Sequence, residues 1–388
     1  MYPNLTEFFK RVFGWDIPLP IQSYGLFVAL AFLGGVWILI KEFKRKEAEK
    51  IFKPYKYTET VGEGAKLKDI IVSAAVGFII GFKLLYAILE YGAFVDNPQA
   101  FILSGDGSWW GGIILALVFG IYTYREKNKQ KLDVPKKVEK ILHPYELAGN
   151  ILVVAGIFGL LGAKIFHNLE YYEEFLAHPW ESLISFSGLT FFGGLIVGGI
   201  AVFVYLRKYN ISGVHLLDVG AVVMSLSYAL GRIGCQVSGD GCWGIENPAP
   251  QPEWLAWLPD WTWSFDYPHN ILKEGVPIPG CTGEYCMHLS VPVFPTPMYE
   301  TTMMLVVFGI LWFLRKRIQI PGMLFSLYLI FAGFERFFIE KIRVNIPYKI
   351  MGADITQAEI ISFVMALFGI AGLILSYKYR EKLRRIHQ

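Results

Sequence analysis

"DVGAVVMSLSYALGRIGCQVSGDGCWG", residues 218–244, runs apolar for most of three helical turns and then meets an arginine, an aspartate, two cysteines and five glycines. The first half needs a buried or lipid environment; Arg232 does not belong in one unless something holds it. An ionisable residue inside a membrane segment is costly and marks a functional site by default. The glycines at 231, 234, 239, 241 and 244 permit an irregular backbone around it. Such backbone survives at membrane depth only when it is buried in protein or lines a wet cavity.

The whole chain agrees with a membrane reading. Of its 388 residues, 54% are hydrophobic and only 18% charged, with mean hydropathy +0.41, against about 25% charged in soluble domains. Segments of about 20 apolar residues can span a bilayer. Candidates fall at 22–41, 69–91, 109–124, 146–168, 184–206, 215–235, 297–315, 321–342 and 355–377. The expected fold is therefore all-α: one polytopic membrane bundle of about nine transmembrane helices, with a long loop over 243–296.

Twenty-six of the 36 lysines and arginines lie in 41–68, 125–140, 207–208, 315–317 and the tail 378–385. Segments 92–108 and 169–183 hold none, and 245–293 holds only Lys273. Cytoplasmic loops carry the basic excess, so the N-terminus is expected outside and the C-terminus inside. The charge follows topology rather than forming a patch, which argues against a nucleic-acid partner. No cleavable signal peptide is expected at the N-terminus. "LTEFFKRVFGWDI" (5–17) reads either as an amphipathic helix on the outer leaflet or as a lead-in to the first span.

All four cysteines, Cys235, Cys242, Cys281 and Cys286, fall on the outer side, where disulfides persist. Cys281 and Cys286 in "CTGEYC" are the expected pair, although four cysteines allow three pairings. Cys235 could act as a nucleophile, pair with Cys242, or simply pack.

Two hairpins repeat, 69–140 and 146–208. "GFKLLYAILEY" (81–91) matches "GAKIFHNLEY" (162–171), and "SGDGSWWGGII" (104–114) matches "SGLTFFGGLI" (187–196). Lys83 and Lys164 either snorkel to the interface beside Glu90 and Glu170 or bind anionic lipid. The paired glycines 111–112 and 193–194 let helix backbones approach.

The densest charge lies in "FERFFIEKIRVN" (334–345), where Arg336, Glu340 and Arg343 share one helix face. Arginine suits phosphate because its planar donors bind bidentately and keep their charge. Arg232 adds a guanidinium from another helix, and Glu300 in "FPTPMYE" (294–300) adds a carboxylate. A lipid headgroup is the phosphate available at that depth.

These motifs resemble the prolipoprotein diacylglyceryl transferase family. Its signature G-R-[IL]-G-N-F-x-N-G-E is similar to "GRIGCQVSGD" here, with Asp240 for the glutamate; "HPTQLYE" stands as "FPTPMYE", and "GRF-x-x-E-x-x-R" as "ERFFIEKIR". "SYGL" places Tyr24. The family's "SFHGG" histidine, needed for catalysis there, is Phe192 here, with Trp110 in the repeated copy. The second histidine is Phe294, and the family asparagines are Cys235 and Ser238.

The resemblance implies transfer of the diacylglyceryl group of phosphatidylglycerol to the lipobox cysteine of prolipoprotein signal peptides, at the bacterial inner membrane. It places catalysis on Arg232, Arg336, Glu300, Glu340 and Asp240. Substrate binding falls to Arg232, Arg336, Arg343, Tyr24, Tyr299, Gly234 and Gly239. No cofactor and no metal is expected; the other partners are membrane lipids. With the histidine gone, the base is Asp240, Glu300 or Glu340, or His167 or His178, or the arginine field itself ionises the thiol. The tryptophans of "PEWLAWLPDWTWSF" (252–265) read as an interfacial arm or a peptide-binding surface. A non-catalytic headgroup-binding scaffold is the alternative. A transporter is disfavoured, because the charges gather at one face rather than the midplane.

Overall fold

The computed structural model describes residues 1–96, 98–184, 190–345, 348–350 and 353–381. Residues 187–189 of the second repeat motif, and 382–385 of the basic tail, lie outside the described residues. The chain divides into two units, one of residues 17–20 and 54–143, the other of the remainder.

The smaller unit is a helical hairpin on a two-stranded ribbon. α3 (Leu67–Leu89) and α6 (Trp109–Lys129) pack with Gly81 against the Gly111 backbone. Two short helices join them, α4 (Tyr91–Asp96) and α5 (Pro98–Leu103). Lys83 does not pair with Glu90 across the turns that separate them. Its ammonium donates to the carbonyls of Phe101 (2.9 Å), Ser104 (2.6 Å) and Asp106 (2.7 Å), gathering the connecting loop. Strands β1 (Tyr55–Val61) and β2 (Lys136–Leu142) pair antiparallel, from Tyr55–Leu142 to Val61–Lys136.

The larger unit opens with α1 (Leu5–Phe13), capped by the Asn4 side chain at the Glu7 amide and closed by Gly14 in the left-handed region. α2 (Ser23–Ala48) follows. α7 (Ala148–Glu170), α8 (Tyr172–Ala177), α9 (Pro179–Ile184) and α10 (Phe191–Arg207) repeat the succession long, short, short, long. Here too a glycine, Gly162, meets the backbone of Gly193. α11 (Gly213–Ser238), α12 (Thr296–Leu314), α13 (Met323–Glu340) and α14 (Gln357–Lys378) complete the unit. Short strands β3 (Val276–Pro277) and β4 (Met287–His288) pair in the long loop, and β5 (Tyr348–Ile350) with β6 (Ala353–Ile355) before α14.

α2, α11, α12 and α13 share one core: Ile38, Val222, Ala229, Met304, Leu311 and Tyr328 are among its buried members. α14 seats against α13 where Gly333 and Gly369 let the backbones touch. At one end of this bundle Glu42 is buried and takes Arg315 at 2.7 Å and Arg45 at 2.5 Å. The Asp218 carboxylate accepts the amides of Gly322 (2.9 Å) and Phe325 (3.0 Å), at the first turn of α13.

The protein is thus a helical membrane bundle, as its composition requires. Among the described residues six helices, α2, α3, α7, α11, α12 and α14, are long and apolar enough to cross a bilayer, and α10 is a shorter apolar helix. The expected count of nine is not confirmed by this measure. α6 ends in "YREKNK", and α13 carries Glu335, Arg336 and Glu340. Large apolar side chains on the outward faces, such as Leu33, Ile79, Leu169 and Phe368, are exposed in the isolated chain and match a lipid surface.

Candidate functional site

The site lies where α11 ends, α12 begins and α13 ends. α11 stops at Gly239, whose φ of +64° turns the chain without a Cβ penalty. The Asp240 carboxylate then accepts the Cys242 amide at 3.2 Å, a local turn of the kind short acidic side chains favour. The chain next threads between two elements. Gly244 donates to the Phe294 carbonyl (2.8 Å) and Ile245 to that of Ile342 (2.8 Å), with Gly244 bridging Arg343. A Cβ at Gly244 would strike the Ile342 carbonyl oxygen. The Thr296 hydroxyl, at the head of α12, donates to the Cys242 carbonyl at 2.7 Å.

These contacts bring three guanidiniums to one carboxylate. Glu300, in the first turns of α12, is fully buried. Arg232 Nη2 donates to its Oε1 at 2.9 Å, and Arg232 Nε lies 2.5 Å from its Oε2 as an ion-pair contact. Arg343 Nη1 lies 3.4 Å and Arg336 Nη1 3.6 Å from the same Oε1. Arg336 Nη2 is also 2.9 Å from Glu340 Oε2, and Glu340 Oε1 accepts from Asn345 Nδ2 at 2.5 Å. Three cations thus share the carboxylates of Glu300 and Glu340.

The remaining predicted residues are placed as follows. Gly234 packs against Tyr24 and Phe27 of α2, which sets the entrance of α2 against α11. Tyr24 itself is partly exposed. Gly239 lies against Asn270 and Met1. The Tyr299 hydroxyl donates to the Thr262 carbonyl at 2.7 Å, so it fastens the long loop rather than pointing at the arginines. Phe192 stands at the second position of α10. The His167 ring lies tilted against Tyr171, with ring centroids 4.7 Å apart. Cys281 and Cys286 form a disulfide, the expected pairing.

Cys235 and Cys242 are free thiols, not a disulfide. Their sulfurs and an Asp240 oxygen lie within 4.8 Å of one another, a group able to hold a metal ion. Arg232 Nη1 points at Cys235 Sγ (3.7 Å) and Arg343 Nη2 at Cys242 Sγ (3.9 Å).

Two site residues escaped the sequence reading. Tyr228, one turn before Arg232, accepts from Arg232 Nε at 3.3 Å and offers its ring to the guanidinium at 5.4 Å. Glu335 is buried, and its Oε1 has no hydrogen-bond partner among the described residues. The available signal was its place: a carboxylate where the resembling motif has glycine. Next to Arg336 it reads as an ordinary neighbour.

A cavity of about 370 Å³ opens in the long loop, lined by Trp243, Gly244, Glu246, Leu289, Val293 and Val344. Its walls adjoin Cys242 and Arg343 in sequence.

The family model described as prolipoprotein diacylglyceryl transferase matches residues 12–148 and 133–375. A phosphatidylglycerol–prolipoprotein diacylglyceryl transferase of Leptospira interrogans is 29% identical over 221 residues, covering 50% of this chain and 61% of the relative. The chain therefore spans less than two thirds of that relative's length. The like-named protein of Symbiobacterium thermophilum is 33% identical over 288 residues, covering 72% of this chain and 91% of its own length. That of Treponema denticola is 25% identical over 323 residues, covering 71% and 91%. With most of its length matched, this chain belongs to the prolipoprotein diacylglyceryl transferase family.

Proposed function

We propose that the protein transfers the diacylglyceryl group of phosphatidylglycerol to the lipobox cysteine thiol of prolipoprotein signal peptides, releasing glycerol phosphate. The observation that carries the reading is the convergence of Arg232, Arg336 and Arg343 on the buried Glu300. Glu300 gathers the three guanidiniums at one point, and their remaining N–H donors are placed for a phosphodiester. As sulfur attacks the glyceryl carbon, charge grows on the departing phosphate. Preorganised donors at that position are often the largest catalytic contribution. Arg336, shared between two carboxylates at its edges, and Arg232 are the donors; Arg343 and Glu340 position them.

Phosphatidylglycerol and the signal peptide reach the site laterally from the bilayer. The cavity beside Trp243 and Val344 suits the polypeptide that follows the acceptor cysteine. The site end faces the bacterial periplasm, with the N-terminus on that side and the C-terminus in the cytoplasm. The basic ends of α2 and α12, with Arg45, Lys46 and Arg315, support this orientation in the inner membrane. Tyr24 and Gly234, which meet where α2 packs on α11, serve substrate binding.

Phe192, at the position of the family histidine, favours a second reading, a headgroup-binding scaffold without chemistry. Transfer of radiolabelled diacylglyceryl from phosphatidylglycerol to a lipobox peptide separates the two. Activity abolished by Arg232→Ala supports the enzyme. An inactive wild type that still binds the lipid supports the scaffold.

A further inference from the structure

We propose that Cys235, Asp240 and Cys242 form a zinc site with one open coordination position, and that this position receives the acceptor thiol. The metal half of the proposal stands alone; the thiol half rests on the transfer reading above.

The three ligand atoms come from a C-x₄-D-x-C stretch, a spacing that does not announce a metal site. The turn at Gly239 and Gly241, both at positive φ, folds Asp240 and Cys242 back over Cys235. Sγ, Sγ and Oδ then lie within 4.8 Å of one another. Tetrahedral zinc with bonds of about 2.3 Å holds two sulfurs about 3.8 Å apart, so the group needs to tighten by about 1 Å. Cys235 is buried at the end of α11, while Asp240 and Cys242 are half-buried, so the open side is theirs. Two thiolates and a carboxylate suit zinc's borderline softness. Three protein ligands with a free fourth position is the arrangement of catalytic rather than structural zinc.

Charge supports the assignment. Two thiolates and one carboxylate around a divalent ion leave one negative charge. Arg232 and Arg343 aim N–H groups at the two sulfurs, at 3.7 and 3.9 Å, and offset it. Without a metal, the same donors face two thiols crowded beside a carboxylate.

The site answers a chemical need. A free thiol has a pKa of about 8.5 and must ionise to attack, and the family's histidine position holds Phe192. At the fourth position the acceptor S–H exchanges for bound water; the S–Zn bond forms and the proton passes to bulk water at the site mouth. The sulfur then forms the S–C bond as the glyceryl C–O bond breaks. That electron pair stays on the phosphate oxygen, held by Arg232 and Arg336.

Cobalt(II) loading of the full-length protein in detergent, under reducing conditions, tests the proposal. We expect one cobalt per chain, with thiolate charge-transfer and tetrahedral d–d bands. Cys235→Ser and Cys242→Ser abolish the bands, and Asp240→Asn weakens binding at least about tenfold, the scale that even groups not touching a metal contribute. Cys281→Ser/Cys286→Ser keeps them. In the unmutated chain, zinc shields Cys235 and Cys242 from maleimide, a readout that no misfolded variant can mimic. Absent bands, bands surviving Cys242→Ser, or a Cys235–Cys242 disulfide in protein taken from membranes would overturn the site. A lipobox-cysteine peptide should intensify the charge-transfer bands. Unchanged bands, or full transfer activity after chelation, would overturn the thiol half while leaving the transfer reading intact.

Discussion

Arg232 on α11 and Glu300 on α12 meet through two contacts, Nε–Oε2 at 2.5 Å and Nη2–Oε1 at 2.9 Å, with Glu300 wholly shielded. This pair is the hinge on which the arginine cluster turns. It joins two helices whose sequences are 68 residues apart at this point, and it leaves Arg336 and Arg343 sharing the remaining face of Oε1.

Glu300→Ala should therefore destabilise the protein as well as inactivate it. Removing one partner of a buried ion pair costs about 3–5 kcal/mol, because the other charge is stranded. Thermal unfolding in detergent would show it, and Arg232→Ala/Glu300→Ala should recover part of the lost stability with no recovery of transfer.

Arg336 is more exposed and less committed than Arg232, with its side chain 23% accessible. Arg336→Ala should cost transfer about 10²–10³-fold, the scale of one lost transition-state donor, and should also lower the melting temperature, because the buried Glu340 loses its cation. Arg336→Lys should not restore transfer, since an ammonium cannot reproduce the planar fork. The transfer assay compares the three proteins.

Gly244 sits where the chain bridges Arg343 and Phe294. Gly244→Ala pushes the Ile342 carbonyl away and shifts Arg343 with it. Transfer should fall by up to about a hundredfold, as small misplacements can cost, although residue 244 itself contributes no donor to the phosphate.

Asp218 provides the contrasting case. Its carboxylate accepts two amides at the start of α13, far along α11 from Arg232. Asp218→Ala should lower stability by about 1–2 kcal/mol, as lost caps do. The folded fraction should keep its transfer rate, measured per mole of folded protein.

The loop has its own pH response. Burial holds the His269 imidazole below its ordinary value of 6.5. Its Nδ1 lies 2.6 Å from the Tyr285 carbonyl, beside the Cys281–Cys286 disulfide. The unfolded loop then binds more protons than the folded one just below pH 6.5, so loop stability rises with pH through that range and is fully present above it. Limited proteolysis should cut the 245–293 loop faster as pH drops below about 6.5, and His269→Gln should flatten the dependence.

By itself the sequence determined the solvent. Long apolar runs with basic turns at alternate ends can satisfy their backbone in hydrocarbon only as helices, and "GRIGCQVSGDGCWG", "FPTPMYE" and "ERFFIEKIR" named the chemistry and the family. Helix periodicity placed Arg336 and Glu340 on one face, because that is a local property; α13 ends at Glu340, and Arg343 reaches the cluster from the bridge to Gly244 instead of from the helix. Tertiary structure decided everything that crosses between helices: that Glu300 rather than Glu340 is the shared anchor, that Tyr299 holds the loop, that Lys83 gathers carbonyls, and that a buried Glu335 joins the site. It also brought Cys235, Asp240 and Cys242 together around a glycine turn. Side-chain period fixes which way a residue points from its own axis. Only packing fixes what stands opposite, and a charge in a low-dielectric interior is defined by what stands opposite.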